Sequence, residues 1–214
     1  MLKILLAVPL AYLIGTIPCS VIVGRAFGAD VTAQGSGNPG ASNVMRVAGW
    51  KAGLLAMIGD TAKGTAPAAI GLVVEGRWAG FALGIAAVIG HVFPIVRRGG
   101  KGVATAGGML FVLFPWIALA GITTWMLVAK GLRKASIASL FIVVAFPIVV
   151  GIIGAPWWET LAISALALVL ISRHSSNIRR LIHREEVDLV AGSRSIGDAP
   201  AHHENHGHQE DKNQ

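Results

Sequence analysis

Long apolar runs, separated by short polar segments, fill the first 172 residues of the chain. A helix needs about 20 apolar residues to cross a bilayer. Runs that reach or approach this length occupy residues 2–24, 52–74, 79–96, 136–153 and 156–172. The pattern therefore predicts an all-α integral membrane protein in which these runs are membrane-spanning helices.

A sixth apolar run, residues 102–129, is too long for a single crossing. One helix of about 28 residues would be about 42 Å long, whereas the hydrocarbon core is about 30 Å thick. Pro115 lies in the middle of the run, where it would interrupt the helical hydrogen bonds. We therefore expect two short helices, 102–114 and 115–130, that form a hairpin around Pro115.

The distribution of basic residues supports this hairpin. Cytoplasmic loops carry an excess of Lys and Arg, so the basic loops are expected on one face of the membrane. The hairpin places every basic cluster on one face and leaves only Lys3 and Arg77 opposite, whereas a single crossing would divide the clusters. The sequence thus predicts seven transmembrane helices, two of them short, with the N-terminus outside and the C-terminus in the cytoplasm.

Composition agrees with a membrane protein and excludes several kinds of site. Only 14% of the residues are charged and 54% are hydrophobic, whereas soluble domains carry about 25% charged residues. The net charge of +7 would suit nucleic acid, but membrane helices leave no room for a duplex, and the positive-inside bias accounts for the charge. Cys19 is the only cysteine, which excludes an intrachain disulfide and a cysteine metal cluster. We expect no metal, no other cofactor and no nucleic-acid partner.

The end of the chain differs from the rest. Residues 1–184 form the predicted membrane domain, and residues 185–214 form a polar tail that is first acidic and then rich in histidine. This composition predicts disorder. A solvated tail accounts for the histidines better than a metal site does. They are His202, His203, His206 and His208.

The first of four polar segments on the predicted cytoplasmic face is GSGNPGASN, residues 35–43, which Arg46 follows. Glycine permits the positive φ angles of an anion-binding nest, and serine and asparagine add side-chain donors. An ordinary flexible loop would have the same composition. The candidate anion-binding residues are Gly35, Ser36, Gly37, Asn38, Gly40, Ser42, Asn43 and Arg46.

The second polar segment is RRGGKGVAT, residues 97–105. A glycine-rich turn here leads into a helix start, where free N–H groups and the helix dipole attract phosphate. The spacing is not that of a Walker A motif. Arg97 and Arg98 fit a basic loop that fixes the orientation of the chain in the membrane and binds no ligand. The candidate anion ligands are Gly99, Gly100, Lys101 and Gly102.

The third and fourth segments are HSSNIRRL, residues 174–181, and RKASIAS, residues 133–139. His174 and Asn177 are three residues apart, share one helix face and suit polar recognition. Arg179 and Arg180 fit an interfacial helix that faces lipid headgroups. The serines of the fourth segment often bond their own backbone in a membrane helix, so this segment alone indicates no ligand.

Two polar groups are predicted deeper in the membrane. Asp60 and Lys63 are three residues apart in the second run, and an ion pair between them explains both charges better than direct catalysis does. His91 ends the third run, where it either bonds a carbonyl or belongs to the site.

Together the four segments offer cations, glycine nests and hydroxyls, without a carboxylate in a loop. The sequence contains no HExxH, GxSxG or paired-carboxylate motif, and neither His91 nor His174 has an aspartate four or five residues on. This pattern indicates a pocket for phosphates, open to lipid, with no evident general base. Such a pocket suits a substrate that brings its own reactive group.

These segments resemble the acyl-phosphate:glycerol-3-phosphate acyltransferase family of bacterial membranes, the PlsY type, over about residues 1–185. The marker segments are GSGNPGASNVMR (35–46), GGKGVAT (99–105) and HSSNIRRLIHRE (174–185). GTIPCS (15–20), DTAKG (60–64), GHVFP (90–94) and SIAS (136–139) also match. Ser42 stands where the family usually has threonine, and His183 stands where it usually has glycine.

The resemblance implies transfer of a fatty acyl group from acyl phosphate to the 1-hydroxyl of glycerol 3-phosphate, which gives lysophosphatidic acid and phosphate. It also implies a location in the bacterial inner membrane with the site facing the cytoplasm, and a soluble enzyme that makes acyl phosphate as a partner. The implied catalytic residues are Ser36, Lys101, His174 and Asn177. The implied substrate-binding residues are Gly35, Gly37, Asn38, Gly40, Ser42, Asn43, Arg46, Gly99, Gly100, Gly102 and Ser139.

Other functions fit parts of the same pattern. An organic-phosphate transporter or channel would also need cations and glycine loops, but it should have a path across the membrane and usually internal repeats, which the sequence lacks. A scaffold that holds a soluble enzyme on its basic face would not need glycine nests. Acyl-CoA or acyl carrier protein are alternative acyl donors for the same reaction.

Overall fold

The computed structural model describes residues 2–189, and this part of the chain is built from helices. Their order along the chain is α1 (Leu2–Thr16), α2 (Cys19–Ala26), α3 (Ala41–Glu75), α4 (Arg77–Val92), α5 (Val103–Leu113), α6 (Pro115–Leu132), α7 (Ala135–Ile152), α8 (Trp157–Arg173) and α9 (Ser175–Ile182). The prediction of an all-α fold is confirmed for the described residues. The predicted disorder of residues 190–214 lies outside them.

Several of these helices have the length and composition to cross a membrane. The segment Leu2–Ala26, which comprises α1 and α2, qualifies as one span, and so do Pro115–Leu132 and Ala135–Ile152. The bent pair of Trp157–Arg173 and Ser175–Ile182 would be a fourth span if its two helices are counted as one. Arg77–Val92 and Val103–Leu113 are apolar but shorter. The count of seven transmembrane helices and the orientation of the termini stay predictions.

The predicted break in the long sixth run is confirmed. α5 ends at Leu113 and α6 begins at Pro115, with Phe114 between them in a non-helical conformation. Proline suits the first position of a helix because its missing N–H would have no intrahelical partner there.

Two other interruptions were not predicted from the sequence. The first run is divided at Ile17 and Pro18 into α1 and α2. α3 bends at Gly49, which has a φ of 87° inside an otherwise helical segment. Since a positive φ is easy only for glycine, the bend is fixed by the residue type.

The helices pack closely through small residues. A Cβ atom on Gly64 of α3 would lie 1.8 Å from the carbonyl oxygen of Thr105 in α5, and one on Gly90 of α4 would lie 2.0 Å from the carbonyl oxygen of Tyr12 in α1. Small residues let membrane helices approach until their backbones touch. α3 and α4 thereby become the centre against which α1 and α5 pack.

A polar cluster ties the break in the first run to α3 and α4. The buried ammonium of Lys63 donates to the carbonyl of Ile17 at 2.8 Å, donates to His91 Nδ1 at 2.8 Å and pairs with Asp60 Oδ1 at 2.8 Å. The other carboxylate oxygen of Asp60 accepts a hydrogen bond from Ser20 Oγ at 2.7 Å. The predicted ion pair between Asp60 and Lys63 is confirmed.

A second ion pair closes the opposite end of the bundle. Arg77, at the start of α4, donates through Nε and Nη2 to both carboxylate oxygens of Glu159 at 2.6 Å. It also donates through Nη1 to the carbonyl of Leu113 at 3.0 Å. This fork-shaped contact joins α4, α5 and α8, because a guanidinium can bind a carboxylate and a carbonyl at the same time.

We predict that Lys63→Met lowers stability by about 3–5 kcal/mol, because it leaves the carboxylate of Asp60 buried without its cation. Thermal unfolding of the detergent-solubilised protein measures the effect. Lys130→Met is the matched control, since Lys130 is exposed on α6. A Lys63→Met protein that melts at the same temperature as this control would contradict the prediction.

Candidate active site

The predicted polar segments meet at one end of the bundle, which we call the loop end. It comprises residues 27–40, 93–102, 133–134 and 174, together with residues 185–189, which the sequence prediction assigned to the tail. Hydrogen bonds connect these segments: Arg46 donates to the carbonyl of Asp188 at 2.8 Å, and Leu189 donates its N–H to the carbonyl of Arg133 at 2.7 Å.

Asn43 fixes the shape of the first glycine loop. Its Oδ1 accepts hydrogen bonds from the backbone N–H of Ser36 at 2.9 Å and from Arg46 Nη1 at 3.1 Å. Its Nδ2 donates to the carbonyls of Val31 at 2.8 Å and Gln34 at 3.0 Å. The side chain is buried, so its polar groups serve the loop itself.

The glycines of this loop are required by its geometry. Gly35 has a φ of 62° and Gly37 a φ of 65°. A Cβ atom on Gly35 would lie 2.3 Å from Asn43 Oδ1, so any side chain would displace the amide that holds Ser36. The loop therefore presents backbone around Ser36 with little side-chain cover.

The loop then leads directly into α3. The carbonyl of Gly40 accepts hydrogen bonds from the N–H groups of Asn43 at 2.9 Å and Val44 at 3.1 Å. Asn38 places its side-chain nitrogen next to Gly40, and Ser42 lies in the first turn of α3. The start of a helix carries a partial positive charge, which favours an anion beside this loop.

The second glycine loop touches the first at Gly100. A Cβ atom on Gly100 would lie 2.2 Å from His91 Nε2 and 3.1 Å from the carbonyl oxygen of Pro39. The N–H of Gly100 donates to the carbonyl of His91 at 3.2 Å. Only a glycine fits at this contact between the two loops.

Gly99 and Gly102 fix the ends of the second loop. The carbonyl of Gly99 accepts a hydrogen bond from Arg173 Nη2 at 3.3 Å. Gly102 adopts the left-handed conformation, with a φ of 83°, immediately before α5. The chain can therefore turn sharply into α5 with Lys101 held between these two points.

Lys101 lies among four other charged side chains. Burial lowers its pKa to about 8, the carboxylate of Glu186 opposes this shift, and the cations of Arg180, Arg46 and Arg173 add to it. A fixed anion would stabilise the charged amine, as an opposite charge does for any ammonium group. The environment thus has an excess of positive charge around an amine that is easily deprotonated.

His174 is a neutral, oriented imidazole. Its Nδ1–H donates to the carbonyl of Leu170 at 2.8 Å, because a carbonyl can only accept. Burial lowers the pKa of His174 to about 4, with a further contribution from the charge of Lys101. At neutral pH the other ring nitrogen, Nε2, is therefore the unprotonated one, and it can accept a hydrogen bond.

The sequence predicted no carboxylate at these loops. This prediction is wrong, because the carboxylate of Glu186 lies among them. Its carboxylate accepts hydrogen bonds from Asn177 Nδ2 at 2.6 Å and Arg180 Nε at 2.9 Å, and its backbone carbonyl accepts one from Lys134. Arg180 is therefore part of this cluster. No sequence pattern around Glu186 indicates that its carboxylate binds Asn177 and Arg180.

Several buried polar atoms on the helix ends next to the loop end have no hydrogen-bond partner within the described residues. They include Asn177 Oδ1, Arg173 Nε and Ser136 Oγ. Buried polar atoms are nearly always paired, so these atoms are candidate contacts for a substrate. Ser139 differs from them, because its hydroxyl accepts a hydrogen bond from Trp125 Nε1 at 3.0 Å.

The structure thus brings most of the predicted site residues together. Ser36 is linked through Asn43 to Arg46 by hydrogen bonds. The charge of Arg46 lowers the pKa of Lys101, and the charge of Lys101 lowers the pKa of His174. Asn177 joins the same cluster through Glu186. The described contact of Ser139 leads to Trp125 of α6 and does not connect it to this cluster.

Known proteins resemble the chain over almost the whole described region. A family model described as glycerol-3-phosphate acyltransferase matches residues 5–184. The glycerol-3-phosphate acyltransferase of Ralstonia pickettii is 41% identical over 184 residues, which cover 82% of this chain and 89% of that protein. The enzyme of the same name from Bordetella pertussis is 43% identical over 189 residues, covering 83% and 87%.

Solved structures agree with these relatives. A crystal structure of PlsY, an integral membrane glycerol 3-phosphate acyltransferase in its glycerol 3-phosphate form, superimposes with a TM-score of 0.82 at 34% identity. It covers 87% of this chain and 95% of that one. The lysophosphatidic acid form of PlsY gives a TM-score of 0.80 at the same identity and coverage.

We predict that Lys101 reacts with an amine-specific reagent with a pH midpoint near 8, because only the neutral amine is nucleophilic. Glu186→Gln should move this midpoint to lower pH, since it removes the charge that raises the pKa of Lys101. Mass spectrometry of the modified peptide measures the midpoint. Glu185→Gln is the matched control, because Glu185 is exposed beside Glu186. Equal midpoints in both variants would contradict the prediction.

Proposed function

The chain belongs to the glycerol-3-phosphate acyltransferase family, and on this premise we propose that its acyl donor is acyl phosphate and its product lysophosphatidic acid. The fatty acyl group would pass to the 1-hydroxyl of glycerol 3-phosphate, with release of inorganic phosphate. The observation that carries the proposal is the meeting of two glycine loops with the cations of Arg46, Lys101, Arg173 and Arg180. Two phosphorylated substrates account for this concentration of anion-binding groups.

Different residues of the site would bind the phosphates and the hydroxyl groups of the substrates. Ser36 and the amides around Gly35 and Gly37 cradle one phosphate, while Arg46 and Lys101 neutralise its charge. The unpartnered Oδ1 of Asn177 and the Nε2 of His174 can accept hydrogen bonds, so they orient the hydroxyls of glycerol 3-phosphate. Ser139 stays a proposed binding residue on the resemblance alone, since its described contact is with Trp125.

The chemistry needs no covalent intermediate on the enzyme. The 1-hydroxyl oxygen of glycerol 3-phosphate attacks the carbonyl carbon of acyl phosphate, the bond from that carbon to the phosphate oxygen breaks, and the departing phosphate takes the hydroxyl proton. The low pKa of His174 supports this route, because an imidazole with a pKa of about 4 is a poor proton acceptor at neutral pH. Catalysis then depends on positioning and on electrostatic stabilisation.

An apolar cavity beside the site suits the acyl chain. It is open on one side and lies between α5, α6, α7 and α8. Val103 and Leu170 form its part nearest the loop end, and the carbonyl of Leu170 is the one that holds His174. The chain would therefore leave the reacting carbonyl directly into apolar surroundings, which favours its burial.

The proposed setting follows from the charges. The loop end faces the cytoplasm of a bacterial inner membrane in a seven-helix arrangement with the N-terminus outside, because its basic residues obey the positive-inside rule there. Water-soluble glycerol 3-phosphate would reach the site from that side. A soluble enzyme that makes acyl phosphate would be its partner.

The purified protein in detergent tests the donor. With palmitoyl phosphate and glycerol 3-phosphate as the only substrates, we expect equal amounts of lysophosphatidic acid and phosphate. Activity that appears only after addition of acyl-CoA or acyl carrier protein would refute the acyl-phosphate donor.

We predict that Lys101→Ala lowers kcat/KM by at least about 100-fold, because it removes a preorganised charge from a shielded site. The assay is lysophosphatidic acid formation, with insertion and folding checked by yield in the membrane and by melting temperature. Lys130→Ala is the control at an exposed position. A Lys101→Ala enzyme as active as this control would disprove the role.

We also predict that kcat/KM falls as pH rises above about 8, where Lys101 loses its charge. The second ionisation of a phosphate monoester, near pH 6, is complete well below this range, so the substrate does not cause the decline. His174 is neutral throughout and contributes no acidic limb above about pH 4. Initial rates at low substrate concentration from pH 6.5 to 9.5 measure the profile, and a flat profile would contradict the role of Lys101.

A further inference from the structure

The apolar cavity is shaped on one side by a single face of α5. Val103, Ala106, Gly107 and Leu110 line it, and their spacing of three and four residues places them on one helix face. The opposite face of α5 packs on α3, where a Cβ atom on Gly108 would lie 2.1 Å from the carbonyl oxygen of Thr61. Side-chain size on the first face therefore controls the cavity without affecting the packing on α3.

The cavity has a defined direction. Val103 is the first residue of α5, and Leu170 lies one turn before His174. At the far end Phe146 lies edge-on to Phe114, the residue between α5 and α6, with ring centroids 6.4 Å apart. The distance along α5 from Val103 to Leu110 is about 10 Å, and Gly107 lies about 6 Å from the near end.

Gly107 is an open position in this wall. A Cβ atom built on Gly107 meets no atom within 4 Å, whereas Gly64, Gly84 and Gly108 all show contacts shorter than 3 Å. The neighbouring helices thus do not explain the missing side chain. The space in front of Gly107 is part of the cavity.

We propose that Gly107 determines which acyl chains the enzyme accepts, because its missing side chain lets the chain pass from the mouth of the cavity to Phe146. This inference rests on the proposed function, in which the acyl chain occupies the cavity. A side chain at residue 107 would fill the cavity about one helical turn below the reacting carbonyl. Short acyl chains end before this point, and long ones must pass it.

The expected loss of kcat/KM depends on how many methylene groups of the acyl chain the new side chain displaces from the cavity. Each buried methylene contributes a factor of about four in binding, so displacement of two methylenes lowers kcat/KM at least about tenfold. Gly107→Leu and Gly107→Phe should therefore lower kcat/KM for palmitoyl phosphate by this factor or more, the phenylalanine variant most. With hexanoyl phosphate both variants should remain close to wild type. Folding is retained, since leucine and phenylalanine favour helix more than glycine does.

The test compares hexanoyl, lauroyl and palmitoyl phosphate in wild type, Gly107→Leu, Gly107→Phe and the control Gly131→Leu. Gly131 is also an open helical glycine, but it lies in the last turn of α6 and does not line the cavity. A second measurement follows thermal stabilisation by hexanoyl and palmitoyl lysophosphatidic acid, which does not depend on the acyl donor.

The outcomes separate the two proposals. A selective loss of long chains in the Gly107 variants, in turnover or in thermal stabilisation, supports the inference. Equal losses at all chain lengths, no loss, or the same change in Gly131→Leu would overturn it. If wild type ignores every acyl phosphate, the proposed donor fails, and the lysophosphatidic acid measurement alone decides the role of Gly107.

Discussion

The ammonium group of Lys63 holds the site in place. The first apolar run breaks at Ile17 and Pro18, and at this break the carbonyl of Ile17 accepts a hydrogen bond from the N–H of Cys19 instead of a helical one. Lys63 donates a second hydrogen bond to this carbonyl and at the same time binds Asp60 and His91. Because the other ring nitrogen of His91 lies against Gly100, one buried charge sets where the second glycine loop meets Pro39 of the first. The geometry of the loop end therefore depends on the buried contact between Lys63 and His91.

The charges at the loop end are only partly neutralised. Glu186 binds Asn177 and Arg180, and its charge keeps the pKa of Lys101 from falling further. Glu186 opposes the cations of Arg46, Lys101, Arg173 and Arg180, and Asp188 acts on Arg46 but is paired with Lys134, which leaves a net positive charge. Such an excess of positive charge favours the binding of anions. The arrangement is consistent with phosphorylated substrates on a membrane surface.

Local patterns in the sequence predicted the parts of the structure that local chemistry determines. The break before Pro115 follows from helix length and a single proline, and the Asp60–Lys63 pair follows from its spacing. Glu186 and Lys134 are 52 residues apart in the sequence, so no local pattern predicts their contact. The division of the first run at Pro18 was also missed, because Lys63, which binds the carbonyl of Ile17 at the break, lies 46 residues away in the sequence. The third run was predicted to reach residue 96, but α4 ends at Val92 because the chain turns there to bring Gly99 and Gly100 back over His91.

The apolar cavity begins beside Leu170 and runs between helices, whereas the glycine loops lie at the loop end of the bundle. On the proposed reaction, one reactant diffuses in two dimensions within the lipid and the other in three dimensions through water, and they collide at the boundary. The products separate along the same two paths, since the lipid keeps one and water removes the other. Release of the two products into different phases would then need no moving gate.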